Sequence, residues 1–530
     1  MKLSFKNNKR IKIILLSTIM FLGCSEDLLD KENNNGTSTD NFGTNITQIE
    51  SAINGAFHPL TTAFCWGRVL HTGAFLRSDE FNVFEFGRNT AMAGLKASPT
   101  DRWALEPWQQ MYKSIGRCNT VIDRIQTNSE DNLEKLVGQA HFLRAFNYWY
   151  LLHLYGNVPL VLGEPNLDAL QPEQADPNIV RQAIIDDLRK ASEMLPNQWS
   201  GDDAGRPTEW SSIGLLGKTY LYNKEWDKAR IEFQRIVDEG DFSLLPTEMY
   251  GENFGITNEN NQESLFELQF LAVESFVWGV DIPGTGTQGN YHIDYALPTK
   301  SPDRGHVINP WLRDLFESNN DVVRRNETLL YDYPGATSYG GLSFTEDLNT
   351  VRNDADGQPI QTDVQIAEAA GVEPIFSKKY AGMDLGARAD VNFLGANVGN
   401  NWRVIRYSDI LLMLAESLNE LNRTGEAEVL VNQVRERADI DLLSGLNKEE
   451  MTQAIIDERA MELAGEGHRF LDLVRWGLAD EFLGTPSLHG GAYHPKSLVG
   501  GAFQSNRDEL IWIPLGEIST NPNLKPNPGY

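Results

Sequence analysis

Glu458 and Glu462 stand four residues apart in Glu458-Arg459-x-x-Glu462-Leu463, so a helix would set both carboxylates on one face. Paired carboxylates are the equipment of glycoside hydrolysis. Their other use is charge pairing, here with Arg459, Arg469 or Arg475, which locks helix ends together. The second use is favoured, because no catalytic pattern accompanies the pair. No G-x-S-x-G occurs. Gly284-Thr285-Gly286-Thr287-Gln288-Gly289 fits G-x-G-x-x-G, but Pro283 precedes it and Asn290-Tyr291-His292-Ile293-Asp294-Tyr295 after it is no amphipathic helix. A dinucleotide fingerprint needs a strand before and a helix behind. Gly217-Lys218-Thr219 ends like a phosphate loop, yet Ser212 holds the position five before Gly217 and the segment reads as helix. Asp354-x-Asp356-Gly357, with Asp363 beyond, imitates part of a calcium loop whose first ligand position is Arg352. The nine histidines are scattered, and no cysteine or acid completes a zinc set around His489 and His494. Binding without catalysis, cofactor or metal is the expectation.

Loop aromatics that stack on C–H faces, beside amides, arginine and carboxylates, suit sugars. The first such cluster follows Arg77-Ser78-Asp79-Glu80: Phe81, Phe84, Phe86, Arg88, Asn89 and then Trp103. The second is Trp278, Tyr291 and Tyr295 in a Gly-rich stretch, near Asp281 and Asn290. The third is Tyr331, Tyr333 and Tyr339 around Pro334-Gly335. The first two are expected to act together on ligand, through Phe84, Arg88, Asn89, Trp103, Trp278, Tyr291 and Tyr295. Trp311 is assigned to the core instead, because Pro310 opens an amphipathic helix with Leu312, Leu315 and Phe316.

Cys24 carries a different chemistry. Lys2, Lys6, Lys9, Arg10 and Lys12 precede an apolar run from Ile13 to Leu22, too short for a span of ~20 residues but right for a signal peptide. It ends at Gly23-Cys24, which reads as a bacterial lipoprotein signal, the thiol of Cys24 being the lipid anchor; an ordinary secretory signal is the alternative. Residues 1–23 are thus the signal peptide. Residues 24–41 are a flexible tether, because Lys31 to Asn41 lacks any apolar period. The 530-residue chain has a formal charge of −28; losing five positive and no negative charges with the signal leaves −33. Such a chain does not hold nucleic acid or anionic lipid by general electrostatics. Two cysteines then remain, Cys65 and Cys118, which could pair in an oxidising envelope.

Helices must position most of this. Apolar residues recur at three and four from Trp108 to Ile125 and from Leu133 to Tyr155, where Gly156 stops the pattern; a third helix runs from Ile179 to Leu195. Leu216-Gly217-x-x-Tyr220, with Ala229 and Phe233, has the spacing of a tetratricopeptide repeat, small residues at the helix crossing and large ones beside them. Leu414-Ala415, Ala427 and Val431 repeat it around an Asn422-Arg423-Thr424-Gly425 turn. The fold class is mainly α: helical repeats over about 105–240 and 402–480, within a single domain of residues 42–530. Residues 241–400 are loop-rich, with short strands expected at Leu265–Phe270 and Phe276–Val280. Leu510–Pro514 is expected to be a last strand before an irregular tail.

These residues together resemble the SusD/RagB family of outer-membrane nutrient-binding lipoproteins. Cys24 with Ser25-Glu26-Asp27 is similar to its lipidation and surface-export signal. Gln139-Ala140-His141-Phe142-Leu143-Arg144-Ala145-Phe146 with Tyr155-Gly156-Asn157-Val158-Pro159-Leu160, and Gly205-Arg206-Pro207-Thr208, resemble its first two signatures. Arg406-Tyr407-Ser408-Asp409 through Glu416 resembles the third, with Asp409 where Glu is usual. The fourth and most specific is matched by Glu458, Arg459, Glu462, Glu466-Gly467-His468-Arg469 and Asp472-Leu473-x-Arg475-Trp476. Ile513-Pro514, Glu517-Ile518 and Asn527-Pro528-Gly529-Tyr530 resemble the terminal block, with Lys525 where Gln is common. The resemblance implies four helix-turn-helix repeats wrapped by a variable loop region. It also implies a SusC-like TonB-dependent β-barrel as partner, which the lipoprotein covers as a lid. The implied cargo is an oligosaccharide or, in RagB-like members, a peptide, at the exterior of the outer membrane; a surface glycoside hydrolase is the rival reading. Arg144 and Tyr530 are expected to be scaffold residues, Tyr530 docking back on the helices.

Overall fold

The computed structural model describes residues 46–83, 95, 98–124, 131–164, 170–270, 306–336, 362–369, 373–380, 399–484 and 503–530. In chain order the elements are α1 (Ile46–Phe57), α2 (Val69–Ala74), β1 (Phe81–Val83), α3 (Arg102–Arg124), α4 (Asp131–Tyr155), α5 (Pro177–Met194), α6 (Glu209–Tyr222) and α7 (Trp226–Glu239). Then follow β2 (Ser264–Leu268), β3 (His306–Ile308), α8 (Pro310–Ser318), α9 (Val322–Thr328), β4 (Leu329–Leu330), α10 (Asp363–Ala369), β5 (Phe376–Ser377) and β6 (Trp402–Arg406). The chain ends with α11 (Tyr407–Glu420), α12 (Thr424–Arg437), α13 (Lys448–Glu462), α14 (Arg469–Trp476), α15 (Ala479–Leu483) and α16 (Leu515–Thr520). Residues 50–530 make one compact unit.

The mainly helical class follows from the periodicity, and the two repeat hairpins are α6–α7 and α11–α12. Thr208 caps α6 through a reciprocal exchange with Ser211, satisfying two N–H groups that a helix start leaves unpaired. Gly217 is the small residue at the first crossing. A Cβ there would meet the Phe233 ring at 2.5 Å, so only glycine lets α7 approach. The corresponding residues of the second hairpin, Ala415 and Val431, are both fully buried. Lys224 and Asn422, one in each interhelix turn, share the left-handed backbone, at φ of 60° in both.

Two small antiparallel sheets join distant segments. One has the strand order β1-β3-β5-β4, with Phe81 opposite Ile308 and Leu330 opposite Phe376. The other pairs β2 with β6, placing Ser264 opposite Arg406 and Leu268 opposite Trp402. The strand expected at Leu265–Phe270 is thus β2, whereas Phe276–Val280 lies outside the described residues. Two expectations are corrected. Leu510–Pro514 is not a strand, and α16 follows it where an irregular tail was expected. The segment is instead tied down by single bonds, Ile511 N–H to Leu154 O and the Asn527 amide to the carbonyls of Tyr155 and Ile511. The helix expected from Trp108 begins at Arg102 and carries Pro107 inside it. The pairing of Cys65 and Cys118, left open by the sequence, is decided by the structure: both are buried free thiols.

Candidate functional site

Phe84, Phe86, Arg88, Asn89, Trp278, Tyr291, Tyr295 and Cys24 lie outside the described residues, as do the 284–289 glycine run and the Asp354 stretch. Trp103 is described and is corrected: it is not a loop residue. It sits in the first turn of α3 with 5 % of its surface exposed. Phe81, on β1, is likewise core, at 4 %. Of the third cluster, Tyr331 and Tyr333 lie with ring centres 5.0 Å apart. The Tyr331 hydroxyl donates to Glu317, and the Arg325 guanidinium lies over Tyr333; Tyr339 is outside the described residues.

What the structure does define is the stem from which the first cluster departs. Ser78-Asp79-Glu80 leads directly into β1. Arg469, opening α14, grips Asp79 with two parallel bonds of 2.9 Å each, the geometry that makes arginine–carboxylate pairs strong. The Asp79 carbonyl accepts the indole N–H of Trp311 at 2.7 Å and the Asn309 side-chain amide. Trp311 is therefore core, as its helical setting implied, and it ties α8 to the stem. Glu80 takes the Gly465 N–H, and burial beside Asp79 pushes its carboxyl up to about 7. Gly467 has φ +84°, and a Cβ there would meet the Phe75 ring at 2.6 Å. The Glu466-Gly467-His468-Arg469 turn thus needs glycine to lie this close to the stem. Arg77 donates to Asp508 O at 2.6 Å and lies 4.0 Å over Phe470, while Tyr530 donates to Asp508 and Leu510. The chain end does dock back.

Behind the stem, the paired carboxylates are committed to arginines. Glu458 binds Arg324 at 2.6 Å and Arg435 at 2.9 Å. Glu462 binds Arg324 at 3.1 Å, Arg406 at 2.6 Å and also Arg437. Charge pairing was the right use, but the partners differ from those expected. Arg459 instead joins Asp409 and Asp472, Arg469 joins Asp79, and Arg475 joins Glu416 and Asp472. The reason is rotational: Arg459 follows Glu458 and so points off the carboxylate face. Arg406 bridges three acids, Glu263, Glu462 and Glu466, and Lys379 reaches Glu466 at 2.9 Å. Burial alone would raise Glu462; the surrounding guanidiniums of Arg437, Arg406 and Arg324 hold it well below the usual range. A carboxylate so held is a poor general acid, and both oxygens of this pair are sealed from solvent.

The remaining signature residues behave alike. Arg144 binds both oxygens of Asp187, which also faces His141 at 2.7 Å. Lys218, of the false phosphate loop, is buried in α6 against Asp409 at 3.3 Å and His468 at 3.2 Å. Asp409 thus fulfils a pairing role despite being the shorter acid. Sequence reasoning did not find Arg324, Glu263 or Lys379. Arg324 stands beside Arg325, Lys379 beside Lys378 and Glu263 after Asn260-Asn261-Gln262, so nothing local sets these charges apart from solvated ones, and neighbours in space were unknown. Among the described residues, no group of three or more His, Cys, Asp or Glu could hold a metal, and no helix is long and apolar enough to cross a membrane.

Comparison with known proteins gives the same picture from both ends of the chain. Residues 388–530 match the SusD family, and residues 69–221 match a family described as starch-binding and associating with the outer membrane. SusD-like protein P2 of Formosa agariphila is 27% identical, over 99% of this chain and all of that protein. Among solved structures, a laminarin-binding SusD-like protein superposes with a TM-score of 0.70 at 24% identity, covering 92% of this chain and 100% of that one. Surface glycan-binding protein A from Bacteroides fluxus superposes at 0.71, with 22% identity and the same coverage. With the signature residues in place as buried clamps, both parts of the chain matched and relatives aligned along its whole length, the chain is similar to proteins of the SusD/RagB family.

Proposed function

We propose that this protein is a cell-surface lipoprotein, anchored through Cys24, that captures oligosaccharide or polysaccharide fragments and passes them to a partner TonB-dependent β-barrel. The match of residues 69–221 to starch-binding, outer-membrane-associating proteins carries this reading. The laminarin- and glycan-binding proteins that share the fold support it. Phe84, Arg88, Asn89, Trp278, Tyr291 and Tyr295 are the proposed contacts. The rigid Asp79–Arg469 stem favours this placement, because a binding loop is precise only where its base is fixed. A hydrolytic role for Glu458 and Glu462 is disfavoured by their arginine partners. The test is mild detergent extraction followed by binding to polysaccharide and peptide panels. Co-purification of a β-barrel, with glycan bound and no product released, is expected. Released sugar would mean a hydrolase, and peptide-only binding a peptide lid. Cys24→Ala should leave the membrane fraction; retention after a salt wash would refute the anchor.

A further inference from the structure

A cleft of about 470 Å³ opens where the start of α6, the end of α7 and the β2 segment meet. Its size is within the range of small-ligand sites. It is lined by none of the aromatic residues proposed above, and among its own lining no family signature contributes except Gly205-Arg206-Pro207-Thr208. We propose that this cleft is a second carbohydrate site, shaped for a neutral oligosaccharide. The inference rests on the glycan reading above and adds a location and a ligand class to it.

Four aromatic residues line the cleft, Trp199, Trp210, Phe242 and Phe266, the last with its ring packed on Phe142 and Phe146. Trp199 is half-buried, and its indole N–H donates to Pro207 O at 2.7 Å, which fixes the ring without consuming its faces. Trp210 and Phe242 stand edge to face at 6.5 Å, with the Arg235 guanidinium 5.7 Å from the Trp210 ring. Amides supply the polar part. Asn260 and Gln269 exchange two amide bonds, of 3.0 and 2.9 Å, while Asn261 donates to Asn258 O and Gln262 to Leu244 O. These bonds orient the amides in advance; Gln269 is fully used by Asn260, Asn401 and Glu267, while Asn260, Asn261 and Gln262 keep spare capacity for hydroxyls. Asn197 and Gln198 are exposed on the wall that carries Trp199. Ser264, also lining, holds a buried hydroxyl with no partner. Aromatic faces with pre-oriented amides are what a pyranose needs, C–H surface against rings and hydroxyls against amides.

Charge decides which glycan. Arg206 is the cation in the wall, and it already bonds Asp203 at 2.6 Å and Gln139 at 3.0 Å. Glu239, Asp241 and Glu267 are the acids. Glu267 is buried and matched by Arg403 at 3.2 Å, but Glu239 and Asp241 are exposed. Glu239 pairs with Arg235 at 3.4 Å, so the cations at the wall, Arg206 and Arg235, are already engaged by acids. A sulfated or uronate-bearing chain would meet the exposed Asp241 without a spare cation, whereas a neutral one needs none. Gly205, at φ +87°, keeps the wall in place. A Cβ there would meet the Gln269 amide at 2.4 Å, breaking the Asn260–Gln269 pair.

The test uses the full mature protein on an array of neutral glucans, xylans, mannans and galactans, beside sulfated and uronate-bearing polysaccharides and a peptide set. Wild type is compared with Trp199→Ala, with Asn197→Ala/Gln198→Ala, and with the loop variant Trp278→Ala. The double variant changes only exposed side chains, so it reads binding even if Trp199→Ala lowers stability. Expected is a loss of about tenfold in affinity for a neutral glycan with Trp199→Ala, the size for one anchor. A smaller loss is expected with the double variant, and an additive loss when either is joined to Trp278→Ala. Unchanged neutral-glycan binding in both cleft variants would overturn the second site, while a loss with Trp278→Ala alone would leave the loop reading standing. Wild-type binding only to charged glycans, or peptide binding lost in the cleft variants, would also overturn it.

Discussion

Replacing Arg469 with Met removes the guanidinium from Asp79 while keeping an unbranched stem in its place. The Asp79 side chain is 2% exposed and both of its oxygens are bonded to Arg469 at 2.9 Å, so the variant strips a buried carboxylate of the guanidinium that grips it. Breaking a buried pair in this one-sided way costs about 3–5 kcal/mol. With unfolding entropy of about 2.1 cal/mol/K per residue, the unit of roughly 480 residues changes by about 1 kcal/mol per kelvin. The melting temperature should therefore fall by about 3–5 °C at pH 7.5, in calorimetry or a dye melt. The sign with pH is fixed by the same physics. Asp79 without its cation has a raised pKa in the folded state. The folded variant then binds a proton more tightly than the unfolded chain, and the deficit against wild type shrinks as the pH falls toward 5. Arg469→Met/Asp79→Leu, which removes both charges, should recover most of the loss. A fall below 1 °C, or a double variant no better than the single, would refute the view that this pair clamps the stem. Because the pair fixes the base of the Phe84–Asn89 segment, the single variant should also bind glycan less tightly at temperatures well below its melting point.

Gly217→Ala should destabilise by about 1–3 kcal/mol through overpacking, since its Cβ would meet Phe233 at 2.5 Å. Phe233→Leu in the same chain should relieve much of that, and a denaturant melt without rescue would contradict the crossing. Burial, with Lys218 at 3.2 Å, pushes His468 down to about 4, so the folded protein resists protonation that the unfolded chain accepts near 6.5. Stability from this group is therefore complete above pH 6.5 and is lost as the pH falls toward 4, by about 3 kcal/mol. His468→Asn should flatten that part of the pH–stability curve; an unchanged slope would exclude His468 as its source. Burial pushes the Cys118 thiol up to about 12 and raises Cys65 as well. Native Cys24→Ala protein should thus leave both thiols unreacted with a disulfide reagent at pH 8, and release two on denaturation.

The helical scaffold was legible because its signal is periodic and local. Leu216, Gly217, Ala229 and Phe233 recur 198 positions later as Leu414, Ala415, Ala427 and Val431, and both hairpins form where that spacing places them. Helix limits were less legible. The apolar period becomes visible only from Trp108, yet α3 starts at Arg102 with Pro107 accommodated inside it, and that start carries Trp103 out of the loop. Leu510–Pro514 has the residue types of a strand but no partner strand, and partnership cannot be read locally. The four-stranded sheet escaped for a related reason. Its strands are two or three residues long and come from four distant segments, so no alternation has room to appear.

The same distinction explains the site. Glu458 and Glu462 could be placed on one face from their spacing, but what they face is set by chain segments more than 100 residues away, such as Arg324. A four-residue carboxylate spacing is equally good for catalysis and for bracing, and only the partners separate the two. Here guanidiniums from α9, α12 and β6 converge on α13, so both acids are spent on ion pairs, and Glu462 is held well below the usual carboxylate range. Removing any one arginine would strand buried charge, which is why these residues form an ordered signature: they brace one another across α9, α13 and the strand-to-helix corner at Arg406. Ligand recognition is assigned to residues outside that brace, where a substitution does not unbalance it. The contacts proposed at 84–89, at 278–295 and in the Trp199 cleft include no residue of the brace, so under that proposal sequence there can vary with cargo while the brace stays the same.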